Sequence, residues 1–197
     1  MKQITLLAAI TLSLFSCNNT SDKKTAETKA TQQSTETAKP ADKPAASGSG
    51  GTKMTVTLTG GANAGSFTAS SAEATCSMGL TGEKSFGNQY SVSGKADNEF
   101  SSLQLIVDDY EAAKAGTQKF YIKVAFGKRL MGNKYEINGS DNSIAGKKQG
   151  SGKITITETG GSKLTHIEGK TSDGVSIVAD ITCITTLTMN NGQLQEK

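Results

Sequence analysis

Few side chains in this 197-residue chain are of types that do chemistry on their own. There are three cysteines (Cys17, Cys76 and Cys183), a single histidine at 166, and one dense carboxylate run at Asp108, Asp109 and Glu111. Thiolates attack, crosslink or bind soft metals, but no Cys-x-x-Cys spacing occurs and no second histidine exists to complete a metal set. His166 could act as a general base oriented by Asp180 or Asp173. No Gly-x-Ser-x-Gly elbow accompanies it, and its position between Thr165 and Ile167 reads as the rim or surface of a strand. The carboxylate run could serve acid–base chemistry or hold calcium. It lacks the Asp-x-Asp-x-Asn-Gly pattern of a calcium loop and reads as a solvated turn, with a short helical turn expected over Asp109 to Ala115. Asn138 to Gly146, with Asp141 and Asn142, reads as a polar loop. No catalytic, cofactor-binding or metal-binding residue is assigned.

Binding signals are equally sparse. The glycine-rich pieces at 60–65, 146–152 and 160–161 lack the Lys-Ser/Thr ending of a phosphate loop and read as hairpin turns. The doublets Lys128-Arg129 and Lys147-Lys148 have no interleaved aromatics, so no nucleic-acid partner is expected. Tryptophan is absent, and Tyr121 and Tyr110 are the only rings expected at the surface.

The elements that must carry these residues read as strands. Met54, Val56 and Leu58 alternate with threonines, and Phe120, Ile122, Val124 and Phe126 give the cleanest two-residue period. Tyr90 with Val92, Leu103 to Val107, Tyr135 with Ile137, Ile154 with Ile156, and Val175 to Ile181 repeat the pattern between Gly, Asn, Asp and Ser clusters. With the segments around Cys76 and His166 this makes eight or nine strands over residues 53–190. That pattern implies an all-β fold, an antiparallel β-sandwich, with a closed β-barrel as the alternative. The sandwich is preferred because the runs differ in length and the loops at 127–133 and 139–152 are irregular. Residues 191–197 read as a polar tail.

The first 52 residues have other tasks. Lys2 is a minimal positive start and Ile4 to Phe15 form an apolar core, too short to span a bilayer, which needs roughly 20 apolar residues. Residues 1–16 therefore read as an export signal. The run Leu14-Phe15-Ser16-Cys17 resembles the lipobox of bacterial lipoproteins, with Phe15 larger than the residue usual at its position. That resemblance implies cleavage before Cys17 and a thioether-linked diacylglycerol on its sulfur, with a further chain such as palmitate on its amine, so that the lipid bilayer is the expected partner. Residues 18–52 hold no Val, Ile, Leu, Met, Phe, Tyr or Trp and contain both prolines. Nothing there offsets the entropy of ordering, so 17–52 is expected to be a disordered tether reaching ~30–35 Å. Asn18 is not the aspartate associated with inner-membrane retention, which favours the outer membrane of the cell envelope.

Export leaves two cysteines. Cys76 is in step with Ala74 and Met78, and Cys183 with Ile177, Ala179 and Ile181, so both face the apolar side. An even pair in an exported domain is read as a disulfide, two buried free thiols being the other reading. The layout of lipobox, tether and β-domain with an early Ala74-Thr75-Cys76 and a late Asp180-Ile181-Thr182-Cys183 resembles the small lipoprotein antigens of mycobacteria. The resemblance implies a sandwich closed by a Cys76–Cys183 bond. From Lys53 onward, fourteen carboxylates face fifteen basic side chains, which argues against a basic nucleic-acid surface. The expected function is a non-enzymatic, membrane-anchored interaction or structural module with a protein or small-molecule partner. A barrel-type carrier of a small apolar ligand is the alternative, and an exported hydrolase using His166 a distant third.

Overall fold

The computed structural model describes residues 51–71, 74–128, 132–190 and 193–196. The expected signal peptide (1–16), Cys17 and most of the tether lie outside the described residues. Those described form two packed sheets. The first contains β1 (Thr52–Thr59), β2 (Gly65–Ser71), β8 (Ser151–Thr159), β9 (Ser162–Lys170) and β10 (Ser176–Cys183), in the order β2-β1-β10-β9-β8. The second contains β3 (Thr75–Met78), β4 (Phe86–Ser91), β5 (Phe100–Val107), β6 (Phe120–Phe126), β7 (Lys134–Asn138), β11 (Leu187–Asn190) and β12 (Gln193–Glu196), ordered β12-β11-β3-β4-β5-β6-β7. Neither sheet closes on itself, so the fold is the sandwich and not the barrel.

Alternation decides which side of each strand is buried. On β1 the side chains of Met54, Val56 and Leu58 are at most 2% exposed, while Lys53 and Thr59 face water. Inward residues of the first sheet (Ile154, Ile156, Ile167, Ile177, Ile181) meet those of the second (Phe86, Leu103, Leu105, Phe120, Ile122, Phe126) in one continuous core. Interdigitating inner faces of this kind are what hold a sandwich together.

Three strands exceed the eight or nine expected from the sequence. β2, β11 and β12 lack the alternating large apolar residues that mark the others. The segment read as a polar tail supplies β12, which pairs with β11. The pairing is antiparallel throughout except where β11 runs parallel to β3, because the chain leaves β10 and crosses to the other sheet beside an early strand.

Close approach of the sheets is set by two glycines. Gly152 and Gly169 face each other across β8 and β9. A Cβ on Gly169 would lie 2.8 Å from Ile137 Cδ1 and 2.5 Å from the Ser151 carbonyl, and one on Gly152 would lie 3.1 Å from Phe120 Cζ. The missing side chains leave the room that Phe120 and Ile137 fill.

The short helical turn falls where the sequence placed it, as α1 (Tyr110–Ala115). The Asp109 carboxylate accepts from the Ala112 amide at 3.1 Å and caps its start. No helix among the described residues is long and apolar enough to cross a membrane.

Candidate functional site

Cys76 on β3 and Cys183, the last residue of β10, form a disulfide that joins the two sheets, with Cα atoms 6.0 Å apart and a sequence separation of 107. Both are buried. The bond's surroundings are partly polar: the Asn88 amide donates to Cys76 Sγ at 3.2 Å and to the Thr75 carbonyl at 3.1 Å, and the Thr52 hydroxyl lies 3.6 Å from the same sulfur.

Two residues along β3 from this crosslink, Met78 lines a cleft of about 610 Å³. Met78 forms one wall, and Lys163, the register partner of Cys183, belongs to the opposite one. The β8–β9 hairpin (Glu158 to Gly161), Tyr110 of α1, and Thr186 and Thr188 complete the lining. Its volume falls in the range of small-ligand sites, ~300–1,000 Å³. The disulfide ties β3, which carries Met78, to β10, which pairs with the β9 strand that carries Lys163.

Within the cleft the Tyr110 hydroxyl donates a short hydrogen bond to Glu158. Lys114 Nζ stands 3.5 Å from Glu158, 3.0 Å from Glu111 and 4.9 Å above the centre of the Tyr110 ring. Burial, and then the bond to Glu158, push the Tyr110 phenol well above the ordinary tyrosine range. The same bond, followed by the Lys114 charge, holds Glu158 below the usual carboxylate range. At neutral pH the phenol is therefore a donor and Glu158 an engaged carboxylate. Glu158 and Lys163 are the charged residues of the lining, with Lys114 and then Glu111 behind Glu158.

Tyr110 and Tyr121, expected at the surface, are buried at 5% and 7% exposure. Tyr110 packs against Phe86 with ring centres 5.6 Å apart because α1 folds back over the end of the sandwich. Tyr121 lies between Ile106 and Asn138 in the sheet register, and its hydroxyl is 3.5 Å from Glu136. Burial, then the Glu136 charge, push its phenol up to about 12. Neither ring offers a stacking platform.

The acidic run is dispersed by the fold. Asp109 caps α1, Glu111 pairs with Lys114, and Asp108 accepts from the Ser140 hydroxyl and from the Asp141 amide at 2.7 Å. Asp108 thereby holds the loop after β7, and the three do not converge. Among the described residues no group of three His, Cys, Asp or Glu side chains is placed to hold a metal. Asp141 instead meets Lys148 at 2.5 Å and Lys119 at 2.9 Å. Hydrogen bonds from these lysines lower its carboxyl to about 2. A carboxyl depressed in the folded state adds stability above its unfolded value of 3.8, and that contribution is lost as pH falls through about 2. An NMR titration of the Asp141 carboxyl carbon should show the low midpoint, moving upward toward 3.8 in Lys148→Ala and in Lys119→Ala.

His166 lies on the outer face of the first sheet, hydrogen-bonded through Nδ1 to Asp180 at 2.7 Å, with Thr155 opposite it on β8. Asp173 is elsewhere, accepting from the Thr171 hydroxyl. The row Thr155–His166–Asp180 has the hydroxyl–imidazole–carboxylate order of an acyl-transfer triad, but the His166 and Asp180 side chains are both more than half exposed. Among the described contacts no hydroxyl bonds to the imidazole, and the three residues line a depression of about 460 Å³. His166 and Asp180 form an exposed hydrogen-bonded pair on the sheet surface.

The cleft was invisible in sequence. Tyr110 and Glu158 are 48 residues apart, and neither belongs to a local motif. In comparison with known proteins, no family model, no curated protein and no solved structure matches the chain.

Proposed function

We propose that the chain is a lipid-anchored lipoprotein of a bacterial cell envelope, whose β-sandwich is a non-enzymatic binding module held off the membrane by the tether. The buried inter-sheet disulfide carries this reading, since such bonds form and persist in oxidising, exported compartments. The apolar run ending in Leu14-Phe15-Ser16-Cys17 supplies a route of export and an anchor. The end cleft is the surface on which the module receives a small polar ligand or the tip of a partner chain. The carrier alternative required a closed barrel around its ligand. Here the space between the sheets is filled by Phe86, Phe120, Phe126, Met54 and their neighbours, which favours the binding module.

Anchoring is tested by metabolic labelling with a fatty-acid analogue in a bacterial host. The parent chain should take up label and fractionate with membranes, whereas Cys17→Ala should do neither and should retain residues 1–16. Label on the alanine variant would sink the lipoprotein reading.

A further inference from the structure

The first sheet ends on one side in β2, and that edge differs from the other three sheet edges. The β8 edge is covered, because Thr117 exchanges backbone hydrogen bonds with Ile154 at 3.0 and 2.9 Å and α1 packs beside it. The β7 edge is closed in the same manner by Gln149 on Asn138, at 2.7 and 3.0 Å, and carries Lys134 and Glu136. β12 is four residues long and includes Glu196. Short length, charge and cover are the usual protections of a sheet edge against pairing with another strand.

Among the described residues β2 has none of them. Gly65–Ser71 contains no charge and no proline, and it pairs with β1 in an unbroken register from Thr52↔Ser71 to Leu58↔Gly65. Among the described residues no backbone hydrogen bond links this strand to anything beyond β1. Its leading end is held firmly: Asn63, in the turn before it, takes the Tyr135 hydroxyl on its carbonyl oxygen at 3.1 Å and the Asn133 amide at 2.7 Å. Phe67 packs on Phe126 with ring centres 4.8 Å apart, yet Phe67 and Ala69 stay half-buried at the rim of the core.

We infer that β2 is the surface through which two copies of this chain associate, edge to edge and antiparallel about a two-fold axis. The strand is self-complementary in that arrangement. Full overlap of its seven residues sets Thr68 against its own copy, Phe67 against Ala69 and Ser66 against Ser70. Large meets small on the core side and hydroxyl meets hydroxyl on the outer side, as cross-strand pairing favours. With no charge on the strand, two identical edges meet without repulsion, which an isologous interface requires. The added strand would also cover the exposed flanks of Phe67 and Ala69. A seven-residue pairing buries less than the roughly 1,200 Å² of a standard stable complex, so the association is weak and concentration-dependent. It is independent of the anchoring and cleft readings above.

The test uses the full chain carrying Cys17→Ser, sedimented over a concentration series reaching about 1 mM, where weak small-interface contacts are populated. The expected result is a shift from monomer toward dimer. Thr68→Lys and Thr68→Glu, each at an exposed position that leaves the core untouched, should remain monomeric throughout and melt as the parent does. An equimolar mixture of these two should associate again, because unlike charges then face each other across the axis. A parent chain that stays monomeric at every concentration overturns the inference. So do lysine and glutamate variants that associate as strongly as the parent.

Discussion

Cys76→Ser and Cys183→Ser should each lower the melting temperature of the domain by roughly 10 °C, and the double variant should fall no further. The bond closes a loop between ends separated by 107 in sequence, for which the chain-entropy account gives up to ~4.7 kcal/mol. Its position adds to that. Cys183 ends β10 just before the chain crosses to β11, and Cys76 lies on β3, the strand that β11 joins. Without the bond, the β10–β11 crossing and the short pairs at Leu187↔Ser77 and Thr188↔Met78 depend on packing alone. A domain whose total stability is about 5–15 kcal/mol survives the loss, with a melting point well below the parent's. Thermal melting of the three variants checks the non-additivity. A titration of denatured, unreduced protein should detect neither Cys76 nor Cys183 as a free thiol. Losses that sum across the two single variants would instead mean two independently packed cysteines.

Phe120→Ala should cost about 3–5 kcal/mol, the usual range for emptying a large aromatic site. Phe120 is fully buried, and its ring lies over the gap opposite Gly152 where no side chain from β8 intrudes. Collapse into the vacated space is opposed on that side by backbone, which relaxes little, so the cost should fall toward the upper end. The converse substitution, Gly169→Ala, should cost about 1–3 kcal/mol by overpacking. Its new methyl would meet the Ser151 carbonyl at 2.5 Å, Gly152 Cα at 2.7 Å and Ile137 Cδ1 at 2.8 Å, and two of these three neighbours are main chain. Urea unfolding of both variants measures the effects. An alanine at 169 that leaves the midpoint unchanged would show that the sheets are not pressed together at this corner.

The two expectations differ in what sequence could reveal. That Phe120 is buried is legible from its alternation with Ile122, Val124 and Phe126. That Gly152 and Gly169 are spacers is not, because the reason lies in a partner sheet contributed by residues 120 and 137.

The fold class, eight or nine of the strands, the capped turn at Asp109 and the inward direction of both domain cysteines were legible along the chain. Each is a local property: side chains along a strand alternate between faces, an aspartate before a short helical run satisfies open amides, and a cysteine in step with isoleucines shares their face. Tertiary structure alone decided the rest. β2, β11 and β12 are strands because neighbours supply their hydrogen bonds, not because their own residues demand burial. Tyr110 is buried because α1 turns back onto Phe86, and it meets Glu158 only once β8 lies alongside. The carboxylates at 108, 109 and 111 look like one cluster along the chain, yet they serve a loop, a helix cap and a lysine in turn. Whether groups converge into a site depends on contacts between residues far apart in the chain, and no periodicity or spacing along a single segment encodes those contacts.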